Sequence, residues 1–394
     1  MQPFQLEALL VPSLIILFLT IGISFRVSRS VTVALPAAFV KAGLFLLYFG
    51  VLFDGAFTFQ DDWEYLKGGR ILYAHDVGIT NLARFWDFSQ SVGHGDHFVY
   101  YLYNAYAFRL FGEGYYAPVA LNIMLTVFVA WFGVQLAERE FGLAGMRRKV
   151  FFFFLLLHPD ILAWSNVMNG KDVLVLLLHV LMLISISLFF RQRYRYALAL
   201  ATPVSLVLLF TRSYVPLLFS ISLLIGVLTS KKINWRVRFG FVGIVSVSFV
   251  LLVFHLGGWT LEKAFIDVRA DFVNPIYGFV RFALTPIPFN TERAYSFLNF
   301  PACLHWFLFP FALRGIVVIH RLRTPFSRFF LLYLLVFSGL YAVYGELQGP
   351  RHRVQMDYAW AVLQFMGLIA FVQAGFAQRG QQQSRPHSAP NARA

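Results

Sequence analysis

The stretch Gln60-Asp61-Asp62-Trp63-Glu64-Tyr65 decides how this chain is read. It follows directly on an apolar run, 31–57, that is long enough to cross a bilayer as a helix. Carboxylates are unfavourable beside hydrocarbon, so three of them at the end of a membrane helix mark a functional region. The question is then what chemistry needs acids at a membrane surface.

The rest of the chain supports the membrane setting. Its 394 residues are 59% hydrophobic and 13% charged, with 46 Phe. The mean hydropathy is +0.66. A soluble globule does not have this composition. Apolar segments of spanning length recur at 6–25, 31–57, 116–137, 150–166, 173–190, 196–211, 214–229, 239–258, 299–319, 327–345 and 357–377. These eleven predict an all-α, polytopic helix bundle occupying 1–378. The segment 97–112 is apolar but short and is expected in the interface. The first segment lacks a small-residue cleavage pattern and is followed at once by a second, so it is expected to stay as a helix. The Gln-, Ser- and Pro-rich segment 379–394 reads as a disordered cytoplasmic tail.

Charge sorting gives an orientation. With loops taken alternately, one side carries 20 basic residues and only Glu138 and Glu140 as acids. The other side carries 13 basic and 17 acidic residues, in agreement with the net charge of +14. Lys- and Arg-rich loops stay cytoplasmic, so Asp61, Asp62 and Glu64 are expected to face outward. The basic residues are divided among short loops and form no groove-sized patch, which argues against nucleic-acid binding. Cys303 is the single cysteine, so an intrachain disulfide is excluded. No P-loop or GxGxxG motif is present to cradle a nucleotide.

Four outward segments carry the chemistry. The largest, 58–115, opens with the acids, continues through His94, Asp96 and His97, and alternates aromatic with polar residues. That pattern suits amphipathic helices on the membrane surface. Acids at a helix start are also favoured by the helix dipole, but three exceed what capping needs. A carboxylate here can accept a proton from an attacking hydroxyl, or help to hold a divalent cation such as Mg2+ or Mn2+. The second segment, 157–172, ends in Lys171-Asp172. The third holds Arg212 between two closely spaced helices. The fourth, 345–353, holds Arg351-His352-Arg353, whose arginines oppose the charge rule. Guanidinium groups at that level suit a lipid phosphate or diphosphate. Between them, a second outer loop, 259–298, carries Arg281 and a turn containing Pro286 and Pro288.

Asp61-Asp62-Trp63-Glu64-Tyr65-Leu66, the helical outer loop, and Tyr100 to Gly112 leading into Asn122 resemble the GT-C superfamily of glycosyltransferases. These are polytopic enzymes that use polyprenyl-phosphate-linked sugars. The family's acidic pair followed three residues on by Tyr falls on Asp61, Asp62 and Tyr65. Its Leu-Phe-Gly falls on Leu110-Phe111-Gly112, and its late Arg-x-Arg on Arg351 and Arg353. The acid that several subfamilies carry in a second outer loop has loose counterparts in Asp160 and Asp172. The resemblance implies an inverting membrane glycosyltransferase of the bacterial surface-polysaccharide type. It would act on the outer face of the inner membrane, passing sugar to a glycan, lipid or protein. Asp62 or Asp61 would be the general base, and the pair would hold any divalent cation. Arg351, Arg353, Arg212 and Lys171 would hold the donor phosphate, while Glu64, Tyr65, His94 and His97 would line the cleft. The rivals are a polysaccharide polymerase using polyprenyl-diphosphate-linked repeats, and a lipid-linked glycan transporter. The transporter would show charged residues at mid-helix, where Lys41 is the main example.

Overall fold

The computed structural model describes residues 2–93, 97–229 and 274–383, with short pieces between 235 and 243. Among these residues the chain is all-helical, with no strand. Eight segments are long and apolar enough to cross a membrane: Leu6–Ser28, Val31–Leu52, Tyr116–Phe141, Gly145–Val167, Asp172–Phe190, Arg293–Leu322, Pro325–Val343 and Asp357–Gly375. The difference from eleven has two sources. The expected spans 196–211 and 214–229 form helices Tyr194–Leu209 and Tyr214–Thr229, of 16 residues each. At 1.5 Å per residue they reach about 24 Å, short of a hydrocarbon core of about 30 Å. The expected span 239–258 lies almost wholly outside the described residues.

We number the helices α1 Leu6–Ser28, α2 Val31–Leu47, α3 Gln60–Ala74, α4 Trp86–Val92, α5 Phe98–Phe111 and α6 Tyr116–Phe141. There follow α7 Gly145–Leu156, α8 Pro159–Val167, α9 Asp172–Phe190, α10 Tyr194–Leu209, α11 Tyr214–Thr229 and α12 Pro275–Leu284. The last four are α13 Asn299–Leu322, α14 Pro325–Val343, α15 Pro350–Val354 and α16 Asp357–Gln383. The last helix includes 379–383, the first part of the segment expected to be disordered. Residues 384–394 lie outside the described set.

Local sequence sets the breaks that matter. Read as one span, 150–166 is in fact two helices meeting at Leu157-His158. Pro159 occupies the first position of α8, lacks an N–H, and disfavours helix at the residue before it. The Asn274 side chain caps α12 by accepting from the backbone N–H of Ile276 at 3.0 Å. Thr324 caps α14 in the same way, through Ser327 N–H at 3.0 Å. Lys41 is fully buried and donates to Thr126 Oγ1 at 2.7 Å, tying α2 to α6.

Residues 58–115 form a helical layer over one end of the bundle. Helix α5 is buried between α3 and α6, with Tyr100, Ala105 and Phe108 almost fully covered. Gly68 and Gly69 make this possible. A Cβ on Gly68 would lie 1.7 Å from the Tyr101 ring, and one on Gly69 would lie 2.4 Å from Asn104 Cβ. Only bare backbone lets α3 lie this close to α5. The layer and the basic loops occupy opposite ends. Helix α6 starts beside the layer at Tyr116 and runs 26 residues, about 39 Å. Its far end pairs Glu138 with Arg148 and Glu140 with Arg191, each at 2.9 Å.

Candidate active site

The first turn of α3 separates the two aspartates. Asp62, at the third helical position, is fully buried. Its Oδ2 accepts from the Phe59 backbone N–H at 3.1 Å and from the Tyr115 hydroxyl at 2.9 Å. The first contact is half of a capping box, and Phe59 has no side-chain oxygen to complete the other half. Burial lifts the Asp62 carboxyl to about 6, against the pull of the Phe59 N–H, Arg351 and the Tyr115 hydroxyl. Asp61, one position earlier, points outward and is about half exposed.

A web of amides holds this turn in place. Asn169 donates to the Asp62 carbonyl at 3.1 Å and to Asn104 Oδ1 at 2.8 Å, and accepts from the Tyr100 hydroxyl at 3.0 Å. Asn122 donates to the Met168 and Gly170 carbonyls at 3.2 and 3.3 Å. Asn104, Asn122 and Asn169 are almost or fully buried. A buried network with paired members rigidifies its surroundings. Here it fixes the loop 168–171 against α3 and presents Lys171 and Asp172 beside Asp61.

The outcome is a pocket of about 360 Å3 lined by Asp61, Glu64, Tyr65, His97, Lys171, Arg212, Arg351 and His352, among others. Arg351 bridges two acids, Asp61 at 2.7 Å and Asp172 at 2.8 Å. Asp172, almost fully buried, also meets Arg212 at 3.0 Å and the Gln355 amide at 2.7 Å. Lys171 Nζ lies 3.1 Å from the His97 ring nitrogens and 5.5 Å from the centre of the Tyr65 ring. Burial works against the charge on Arg351, but Asp172, Tyr65 and Asp61 outweigh it and hold the guanidinium firmly protonated. Burial also pushes Asp61 up, yet Arg351, Lys171 and Arg212 keep it below the ordinary carboxylate range. Burial and the Arg212 charge push Lys171 well below the usual ammonium value. The same two causes take His352 down to about 3, so it is a neutral imidazole.

The structure thus brings together Asp61, Glu64, Tyr65, His97, Lys171, Arg212 and Arg351, seven of the residues singled out above. It moves two of them away. Asp62 does not line the pocket. Arg353 turns the other way, so Arg351 and Arg353 do not form one two-guanidinium clamp. Side chains two apart on a helix do not share a face. His94 lies outside the described residues. Asp172 is the hub that joins Arg351 and Arg212, and local sequence does not reveal it because these partners are 179 and 40 positions away.

Arg353 enters a second, deeper cluster. It donates to the Ala283 carbonyl at 3.3 Å and to the Thr285 carbonyl, and it reaches Asp160 Oδ2 at 3.4 Å. His305 Nδ1 lies 3.3 Å from the same Asp160 oxygen. Ligand atoms of His158, Asp160 and Asp357 lie within 4.8 Å of one another, and this is the group with metal-ligand character among the described residues. Asp61 and Asp62, expected to share any cation, are committed instead to Arg351 and to the α3 cap. A larger cavity of about 600 Å3 opens at the far end of the bundle beside Arg26, Arg29, Arg139, Arg148 and Lys149. Its acid, Glu138, is paired with Arg148 at 2.9 Å.

Compared with protein-family models, curated proteins and solved structures, the chain matches none.

Proposed function

We propose that the chain is a membrane glycosyltransferase that passes a sugar from a polyprenyl-phosphate carrier to a glycan, lipid or protein acceptor. One observation carries this reading: Asp61 shares a pocket wall with Arg351, Arg212 and Lys171. A carboxylate opposite a cationic cradle can serve both ends of a displacement. The acceptor hydroxyl attacks the anomeric carbon and gives its proton to Asp61. The bond from that carbon to the phosphate oxygen breaks, and the polyprenyl phosphate leaves with the electron pair, held by Arg351 and Arg212. A single displacement inverts the anomeric centre. Tyr65 and His97 line the sugar's side of the pocket, and neutral His352 donates without adding charge.

On this reading the short helices α10 and α11 and the segment 239–258 complete an eleven-span bundle in the inner membrane. The basic loops face the cytoplasm and the pocket faces the periplasm. Cysteines introduced into 58–93 should then label from outside, and those in 379–394 from inside; the reverse pattern overturns the orientation. The activity test uses purified protein in nanodiscs with polyprenyl-phosphate-linked sugars. Release of polyprenyl phosphate that depends on acceptor and is lost in Asp61→Asn supports the transferase. Growth of long chains from diphosphate-linked repeats would point to a polymerase. The deeper cluster of His158, Asp160, His305, Arg353 and Asp357 favours a second reading as a transporter, since ionisable residues inside a bundle mark transport pathways. Lipid-linked glycan crossing proteoliposomes without any transfer would establish that reading over ours.

A further inference from the structure

The deeper cluster lies below the pocket, at the break between α7 and α8. Seven residues, about 10 Å of helix, separate Asp160 from the outer end of α8 at Val167. Asp357, at the start of α16, is fully buried, and neither of its carboxylate oxygens has a hydrogen-bond partner. His158 Nδ1 and Asp160 Oδ1 are likewise buried and unpartnered. Each such orphan costs on the order of 1–3 kcal/mol, and more if charged. Four of them on three residues whose ligand atoms lie within 4.8 Å of one another are not explained by packing.

We propose that His158, Asp160 and Asp357 bind a divalent first-row transition cation. The far side of each ligand is already arranged for it. His158 Nε2 lies 3.0 Å from the Gln364 side-chain oxygen Oε1, so Nε2 carries the proton and Nδ1 presents its lone pair. Asp160 Oδ2 is held by Arg353 and His305, which leaves Oδ1 without a partner. Donors around a cation with bonds of about 2.1 Å sit roughly 3–4 Å apart. The 4.8 Å envelope therefore needs only small side-chain movements to close. One imidazole with two carboxylates suits Mn2+ through Zn2+ better than Mg2+ or Ca2+, which take all-oxygen sites. Two carboxylates against the single Arg353 guanidinium leave a negative charge uncompensated. A proton on Asp357 could neutralise it, but would satisfy only two of the four orphans. The cation would tie α8 to α16 directly behind α15, which carries Arg351. The inference does not depend on the transferase reading.

The test loads the purified full chain in detergent with Mn2+, desalts it, and measures bound metal together with pulsed electron paramagnetic resonance. The wild type should retain about one Mn2+ per chain and show nitrogen coupling from an imidazole ligand. Asp357→Asn and His158→Ala should lower the affinity by at least about tenfold, the smallest effect seen even for outer-shell losses. His97→Ala and Asp61→Asn should leave both signals intact. Should Asp357→Asn fail to fold, the nitrogen coupling in the wild type, tested against His158→Ala and His97→Ala, still decides. No metal above the protein-free control, or loss of the coupling in His97→Ala instead, overturns the proposal. So does an infrared band of a protonated carboxylic acid that disappears in Asp357→Asn under Mn2+-saturating conditions.

Discussion

The pocket around Asp61 and the cluster around Asp357 use similar residues in opposite ways. Above, both aspartates meet a guanidinium: Asp61 and Asp172 share Arg351, and Asp172 also holds Arg212. Below, Asp160 has Arg353 and His305, while Asp357 has no hydrogen-bond partner at all. The upper site is half open and electrically closed. The lower one is sealed from water and electrically open. Ion pairs at the rim of a pocket can be broken by an incoming ligand of the right charge. A sealed acid without a partner must be completed by something small that stays.

The contrast breaks most sharply at Asp172. It is almost fully buried and holds Arg351, Arg212 and the Gln355 amide together. Asp172→Asn should lower stability by about 3–5 kcal/mol, the range for an ion pair broken inside a protein. Unfolding in detergent would be followed by heat or denaturant. A shift no larger than that of a surface substitution would mean that the upper network contributes no cohesion.

Asp61→Asn should separate chemistry from folding. Its pair with Arg351 is about half exposed on the acid's side, so the stability change should stay within about 1 kcal/mol. Turnover should fall roughly 100-fold or more with the donor KM little changed. Full turnover with an altered KM would make Asp61 a binding group only.

The two arginines offer a narrower comparison. Arg351→Lys keeps charge but loses the fork that meets two acids, and should raise the donor KM roughly tenfold. Arg353→Lys should leave donor KM unchanged and reduce thermal stability, because its partners are the α12 carbonyls and Asp160. Equal KM effects in both variants would merge the two regions into one site.

The last effect concerns Asp62. Its folded value of about 6 lies above the ordinary carboxylate value, so the folded state binds the extra proton first. Stability from this group is therefore greatest below about pH 4 and declines as pH rises to about 6. Subtracting the Asp62→Asn melting profile from that of the wild type should isolate this slope, because His352 and Asp61 contribute to both. A flat difference between pH 4 and 6 would place Asp62 in contact with water.

The sequence made the membrane setting legible, because long apolar runs need no tertiary information. It also made the acidic loop and the Arg351-His352-Arg353 stretch legible, since charge beside apolar spans violates a strong local expectation. Resolving which aspartate faces the pocket was beyond it. Asp61 and Asp62 are adjacent, and a helix turns about 100° per residue, so the phase of α3 decides. That phase is set by Tyr115 and Asn169, far along the chain. Arg351 and Arg353, two positions apart on α15, are separated in the same way. Asp357 could have been noticed as an acid opening the last apolar run. Its meeting with His158 and Asp160 depends on the Pro159 break, which hydropathy alone does not reveal.

On the proposed transferase reading, the Asp61–Arg351 pair also implies an order of events. A carboxylate locked to a guanidinium is a poor proton acceptor, so an empty pocket does not activate stray water. Once a donor phosphate takes Arg351, Asp61 loses its main counter-charge and becomes more basic while the sugar waits beside it. The acceptor then gains nothing by arriving first. Steady-state kinetics should be compulsory-ordered, with donor first, and free polyprenyl phosphate should compete with the donor but not with the acceptor. Random-order kinetics would mean that the base is armed before the donor binds.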